Sequence, residues 1–522
     1  MPLSIKNLLG CLLLSGFLVA LMFALQWQTD FNLWDEGFLW YGAQRVLAGD
    51  VPILDFQAYD PARYYWAAAI MRLLNSEGIV SLRVGAALCQ TIALFLSLQL
   101  ICKSCEKPIF DNKLFTVVCV VLLMQWMYVY YKVYDIVAAV ALIAMLASLI
   151  EKPTILRYFL LGICIGFVAT IGRNHGVYGL IGCAGAIVYI NVGNTAVNEW
   201  LKHLFAICVG IFVGFAPVWV AMLTIDGYAT AFLNSVYYLF ELKTTNLPLP
   251  VPWPWRSTLQ TLPIALAIHG FFTGLYFVAL LVFPVVSITW ILITKIRKMS
   301  ALNPGFIAAA WLSLPYAHYA FSRADVPHLS FSIFPLLIGS MLFLKEKTPK
   351  IWWSSLLGIF LTSALLMIPL QPLGKCLIVH RCVEVNVAGD VIRVPEKKAS
   401  EIRLLQELVE KYVPRGGIIF VTPSWPGAYP LLGRKSPVYD IYNLSKRSDF
   451  FQQKEIEKLA WANPMLVVMV EELLDGSDAH LLKNTNPLIH SYLLKNYTQL
   501  PDVGSPTVKV FLLKVNTLGL HD

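Results

Sequence analysis

An adjacent acidic pair, Asp35-Glu36, sits in Trp34-Asp35-Glu36-Gly37-Phe38-Leu39-Trp40-Tyr41, a few residues after the uncharged apolar run Leu8 to Trp27. Ionisable groups beside a bilayer cost free energy unless they have a task. One of the two is suited to accept a proton while the other positions it or binds a cation. A third acid, Asp60, opens the aromatic stretch Tyr59-Asp60-Pro61-Ala62-Arg63-Tyr64-Tyr65-Trp66, and a fourth, Asp135, follows Tyr130-Tyr131-Lys132-Val133-Tyr134. Hard divalent cations such as Mg or Mn favour carboxylate oxygens, so Asp60 and Asp135 are the ligands for a metal if the chemistry uses one. The sequence by itself requires no cofactor.

Cationic groups gather in Phe321-Ser322-Arg323-Ala324-Asp325-Val326-Pro327-His328-Leu329. Arg323 can give two hydrogen bonds to a phosphate, and His328 can add a donor or shuttle a proton. The plainer alternative is a loop ion pair between Arg323 and Asp325. Arg173-Asn174-His175-Gly176 and Lys132 are further phosphate-binding candidates, against the alternative that they snorkel to the interface. The stretch Leu247-Pro248-Leu249-Pro250-Val251-Pro252-Trp253-Pro254-Trp255-Arg256 suits either a stiff lid beside an acyl chain or an aromatic anchor. Cys102-Lys103-Ser104-Cys105 has CxxC spacing without a second ligand pair and reads as a loop. Cys376 and Cys382 suit a local disulfide if their region lies outside the membrane. No Walker loop, dinucleotide turn, HExxH helix or nucleophile elbow occurs in its required context, so a soluble nucleotide-sugar donor has little support.

These groups must be positioned by membrane helices. With 522 residues, 57% of them hydrophobic and 14% charged, and a mean hydropathy of +0.65, the chain is too apolar for a soluble fold. The net charge of +8 is scattered in small groups between apolar runs, which excludes a nucleic-acid surface. Apolar runs give about eleven spans. The bulky, polar Trp27-Gln28-Thr29-Asp30 offers no cleavage site, so the first span is retained. Lys and Arg fall in alternate loops (Lys103, Lys107 and Lys113; Lys152 and Arg157; Lys202; Lys295, Arg297 and Lys298; Lys345, Lys347 and Lys350), and the positive-inside rule makes that side cytoplasmic. The amino terminus is then cytoplasmic and every unusual polar cluster faces outward. This threading requires the segment from Pro61 to Leu74 to lie in the outer interface as an amphipathic helix. Residues 1–370 form the membrane domain, with a first external loop over 28–78, and residues 371–522 form a small extracytoplasmic α/β domain in which helix-like and strand-like runs alternate.

The first external loop, the Arg-x-Asp-x-x-His element and the phrase Tyr429-Pro430-Leu431-Leu432-Gly433-Arg434-Lys435-Ser436-Pro437 resemble the GT-C glycosyltransferases, in particular the protein O-mannosyltransferase and aminoarabinose transferase-like group of glycosyltransferase family 39. The resemblance implies a multi-pass, mostly α-helical enzyme of a bacterial inner or cell membrane. Such an enzyme moves a sugar, with inversion, from a polyprenyl-phosphate carrier of undecaprenyl or dolichyl type to a lipid, glycan or protein acceptor. It also implies that Asp35, with Glu36, activates the acceptor, and that Asp135 is a second acidic position, here without DxD spacing. Arg323, His328, Arg173, His175 and Lys132 would then hold the donor phosphate. A transporter or flippase of a lipid-linked saccharide is the rival from another class. Charges midway along spans would favour it, whereas these cluster at span ends. A noncatalytic scaffold of the same architecture is a third reading.

Overall fold

The computed structural model describes residues 5–103, 113–192, 200–243, 247–256, 263–345, 348–379, 381–501 and 503–514. Ser104, Cys105, Lys107 and Lys347, named above, lie outside the described residues. By its internal contacts the chain forms two compact units: one of Met1–Trp27, Arg83–Ala229 and Thr244–Val379, the other of Gln28–Leu82, Thr230–Lys243 and His380–Asp522.

The first unit is helical because lipid cannot satisfy an open backbone, so apolar runs close their hydrogen bonds within the segment. Its elements are α1 (Ile5–Gln26), α4 (Ile79–Lys103), α5 (Lys113–Gln125), α6 (Val133–Glu151), α7 (Ile155–Ile171), α8 (Arg173–Asn191), α9 (Trp200–Gly214), α10 (Ala216–Thr224), α12 (Ile264–Ile296), α13 (Pro304–Ser322), α14 (Val326–Ser332), α15 (Phe334–Lys345) and α16 (Pro349–Met367), the missing numbers being helices taken up with the other unit. Among the described residues, five helices are long and apolar enough to cross a membrane, or seven if the bent pairs α9 with α10 and α14 with α15 each count as one span. α8 and α13 have the length, at 19 residues each. Their polar residues, Arg173, Asn174 and His175 in one and His318 and Ser322 in the other, lower their hydropathy.

α13 is the hub, packing against α6, α8, α12 and α15. It starts where Pro304 follows Asn303, whose Oδ1 accepts from the N–H groups of Gly305 at 2.8 Å and Phe306 at 3.3 Å. α7 and α9 meet through Gly162-x-x-x-Gly166 and Gly210-x-x-x-Gly214. A Cβ at any of these four would collide with the backbone of the facing helix. Small residues at this spacing let two helix backbones touch, the packing mode available where lipid supplies no hydrophobic drive.

The second unit is built on a four-stranded sheet with β3 (Ile419–Thr422), β4 (Leu466–Val470), β5 (Tyr497–Gln499) and β6 (Val508–Leu513) in the order β3-β4-β6-β5. β3 and β4 are parallel and the other pairs antiparallel. Both parallel strands are buried throughout, as their nearly continuous apolar sequence requires, and the helix Asp449–Ala462 makes the crossover between them. The hairpin of β1 (Cys382–Val387) and β2 (Asp390–Pro395) turns on Ala388-Gly389, both with positive φ.

The same unit contains α2 (Asp35–Leu47), α3 (Ala62–Leu73) and, from Thr230 onward, α11 (Tyr228–Leu242). At 12 residues, α3 reaches about 18 Å, short of the roughly 30 Å of a hydrocarbon core. Gly37 and Gly427 bring α2 onto the C-terminal region so closely that a Cβ at Gly37 would overlap the Gly427 backbone. Nearby, the Gly427 N–H donates to Leu33 O at 2.9 Å and the Ser436 N–H donates to the Tyr41 hydroxyl at 3.1 Å. The phrase Tyr429 to Pro437 is structural here: the Tyr429 hydroxyl bridges both backbone groups of Val421, and Lys435 pairs with Asp50 at 3.0 Å.

Candidate functional site

In the second unit the acidic pair opens α2, where two carboxylates complement the partial positive charge of a helix N-terminus. The two acids are treated differently. Glu36 is fully buried and its carboxylate accepts the Asn32 N–H at 3.1 Å. Asn32 in turn accepts from the Trp34 N–H at 2.8 Å through its side chain and from the Gly37 N–H at 2.9 Å through its carbonyl, so the entry to the helix is fixed. Asp35 is half-buried, and its side chain makes no hydrogen bond or ion pair with any described residue. Aromatic rings wall this end of the unit: Trp34 meets Tyr442 edge-on at 6.1 Å and Phe38 meets Tyr59 at 4.9 Å. Asp60 is buried beside this cluster, and the guanidinium of Arg63 lies 5.3 Å from the Tyr59 ring centre.

In the first unit the Arg-x-Asp-x-x-His element is an N-cap with an arginine and a histidine attached. Asp325 Oδ1 accepts from the His328 N–H at 2.8 Å, capping α14, and lies 2.7 Å from His328 Nδ1. Its Oδ2 accepts from Arg323 Nε at 2.6 Å. Burial pushes the Asp325 carboxyl up, but the hydrogen bonds and charge of His328, with the hydrogen bond of Arg323, outweigh it and hold the group below the usual carboxylate range. The expected alternative, an Arg323–Asp325 pair, is therefore realised together with the His328 contact. With Nδ1 on the carboxylate, His328 has Nε2 left over, and no described residue hydrogen-bonds it. Arg323 also donates to Leu247 O at 3.1 Å, which ties the Pro-rich stretch to the same cluster. In that stretch Trp253 and Trp255 stack at 5.1 Å, and Trp253 also meets Phe321 of α13 at 6.1 Å.

Behind this cluster lies a buried polar network that pairs two of the sequence candidates. Asp135, in the first turn of α6, is 3.0 Å from Nε2 of His175, in the first turn of α8. Nδ1 of His175 is 2.9 Å from the Tyr316 hydroxyl, and the Tyr319 hydroxyl donates to the other Asp135 oxygen at 2.9 Å. The Tyr319 ring then stands edge-on to His328 at 6.0 Å. His175 is fully buried with both ring nitrogens engaged, which leaves it none for a phosphate. Its place is behind the cations.

Lys132 and Arg173 are half-buried at the starts of α6 and α8. Among the described residues no group of three or more His, Cys, Asp or Glu is placed to hold a metal. One oxygen of Asp135 is engaged by His175 and the other by Tyr319. Sequence reading missed Tyr316, Tyr319 and Arg83. Arg83 is buried at the start of α4, donates to Trp27 O at 2.7 Å and lies 5.0 Å from the Tyr130 ring centre. A lone Arg inside an apolar run was the signal for it. Cys376 and Cys382 are both disulfide-bonded.

No family model and no curated protein matches the chain in sequence. Solved structures do match it. ArnT from Cupriavidus metallidurans bound to undecaprenyl phosphate is similar over 97% of this chain and 98% of that one, with a TM-score of 0.54 and 12% identity. The same protein in the apo state is similar over 96% and 97%, with a TM-score of 0.55 and 12% identity. The archaeal oligosaccharyltransferase AglB from Archaeoglobus fulgidus is similar over 98% of this chain and 75% of its own, at 11% identity and a lower TM-score of 0.46. Agreement with ArnT along nearly the whole of both chains shows the architecture: this chain has the fold of ArnT.

Proposed function

We propose that the chain is an inverting membrane glycosyltransferase that moves a sugar from a polyprenyl-phosphate carrier to a lipid, glycan or protein acceptor on the extracytoplasmic side. A fold hosts many activities, so the site has to carry the reading. The observation that carries it is the vacant carboxylate of Asp35 beside a Glu36 already committed to the backbone. A base that takes a proton needs an open lone pair and a fixed position.

In this reaction Asp35 accepts the proton of the acceptor hydroxyl or amine. The freed electron pair attacks the anomeric carbon opposite the bond to the phosphate. That bond breaks with its electrons going to the phosphate oxygen, and the carrier leaves as polyprenyl phosphate. Arg323 and His328, oriented in advance by Asp325, meet the charge that develops on the departing oxygens, which is where fixed cations lower a barrier most. Arg173 and Lys132 are the further phosphate contacts, while His175 and Asp135 hold position behind them. The stretch from Leu247 to Arg256, tied to Arg323, would cover the donor.

The topology of this reading has about eleven spans, the amino terminus inside and residues 371–522 outside. Two disulfide-bonded cysteines near the start of the C-terminal region support an oxidising compartment for it. A carrier of lipid-linked sugars would want charge midway along its spans. Asp135 and His175 instead occupy first turns, which favours chemistry at the surface. The test is Arg323→Ala in membranes supplied with a labelled polyprenyl-phosphate sugar. Transfer should fall by about 10²-fold or more. A variant that matches the parent removes the phosphate-holding role, and labelling of Asp35→Cys and Arg323→Cys from opposite compartments would end the whole reading.

A further inference from the structure

The helix α11 has two unlike faces. On one, Tyr228 and Phe232 are buried, and Tyr238 is held by the C-terminal region. The Tyr238 hydroxyl donates to Lys446 O at 3.3 Å, and the Arg447 guanidinium lies 3.7 Å from the Tyr238 ring centre and 4.5 Å from that of Phe451. Arg447 is itself locked to the buried Asp440 at 2.7 Å. On the other face Leu233, Tyr237 and Phe240 are 63%, 64% and 75% exposed, although each is large and apolar or aromatic. Their spacing of four and three residues stacks them into a single stripe. Thr230, Asn234 and Glu241, also exposed, run alongside.

We infer that this stripe is seated in the headgroup and upper acyl layer of the bilayer, so that α11 is an interfacial helix fastening the C-terminal unit to the lipid surface. The chain itself argues for lipid as the occupant. Only Ile225, Asp226 and Gly227 separate α11 from the end of the bent pair α9 with α10, a candidate membrane span. Three residues reach at most about 11 Å, so α11 begins at the depth where that span leaves the hydrocarbon. An apolar stripe flanked by polar residues is the pattern of helices that lie along such an interface. The helix carries a single charged side chain, Glu241, so its attachment draws on apolar burial and not on attraction to anionic headgroups.

The test uses the full chain in phosphatidylethanolamine–phosphatidylglycerol vesicles, with accessible native cysteines replaced by serine. Nitroxide labels are placed singly at Leu233→Cys, Phe240→Cys, Asn234→Cys and Glu241→Cys, and collision rates with oxygen and with a water-soluble nickel chelate are compared. The oxygen-to-nickel ratio at 233 and 240 should exceed that at 234 and 241 several-fold, and should persist at high salt and in vesicles without phosphatidylglycerol. Equal ratios at all four positions would place the stripe in water. An immobilised label at 240 shielded from both reagents would assign the stripe to a protein neighbour. A ratio that collapses without anionic lipid would replace apolar burial with charge. Each of these results overturns the inference. None of them reads sugar transfer, so the outcome is separable from that of the proposed reaction.

Discussion

Asp35 and Arg323 are held in opposite ways. At the head of α2 the neighbour is tied down and the candidate stays open: Glu36 takes the local N–H, and the Asp35 side chain makes no hydrogen bond or ion pair with a described residue. At the junction of α13 and α14 each candidate is tied, since one carboxylate holds Arg323 with one oxygen and His328 with the other. A group that must gain a proton has to present a vacant lone pair, whereas groups that stabilise a leaving anion are most effective when they need not reorganise. The network of Asp135, His175, Tyr316 and Tyr319 lies behind the second of these ends and is tied in the same way.

The comparison can be broken at either end. Asp35→Asn keeps shape and removes the base, so transfer of labelled sugar should drop by about 10³-fold with an unchanged thermal midpoint. Full activity would show that the open carboxylate is idle. Asp135→Ala strands a buried His175 and the Tyr319 hydroxyl, and should lower stability by about 3 kcal/mol, seen as an earlier midpoint in detergent. An unmoved midpoint would dissolve the network.

Finer tests sharpen the contrast. Asp325→Asn should lower kcat by about tenfold by loosening both Arg323 and His328, with a smaller change in the donor KM. The same variant carries a pH signature. Asp325 titrates below its unfolded value in the folded protein, so the stability it contributes is complete above about pH 4 and is lost as the pH falls through the folded value. The parent midpoint should therefore decline more steeply below about pH 4 than that of Asp325→Asn. Tyr319→Phe keeps the ring against His328 and removes one hydrogen bond to Asp135, an expected loss of about 1 kcal/mol by thermal melting.

Position relative to apolar runs made the open end legible in sequence: an acidic pair just after an uncharged span stands out, and so does Arg-x-Asp-x-x-His, because an acid three residues before a His is also the spacing of a helix cap. The helices Glu396–Tyr412 and Asp449–Ala462 and the strands β3 and β4 follow the runs that announced them. The buried network was hidden for the opposite reason. Tyr316, His318 and Tyr319 are embedded in Ala, Leu and Phe and look like the inside of a span, and His175 meets an acid from another helix that no local pattern points to. Glycine pairs such as Gly162 with Gly210 were equally silent, since a missing side chain tells nothing until the facing backbone is known. The hairpin of β1 and β2 escaped because its turn, Ala388-Gly389, shows only one turn residue. The partnership of residues 28–82 with the C-terminal region is likewise invisible to hydropathy, which grades segments without matching them.

The meeting of Gly37 and Gly427 has a consequence for timing. Gly427, which seats the head of α2, is made long after α2 itself. A nascent chain that has not reached Gly427 carries Asp35 without that support.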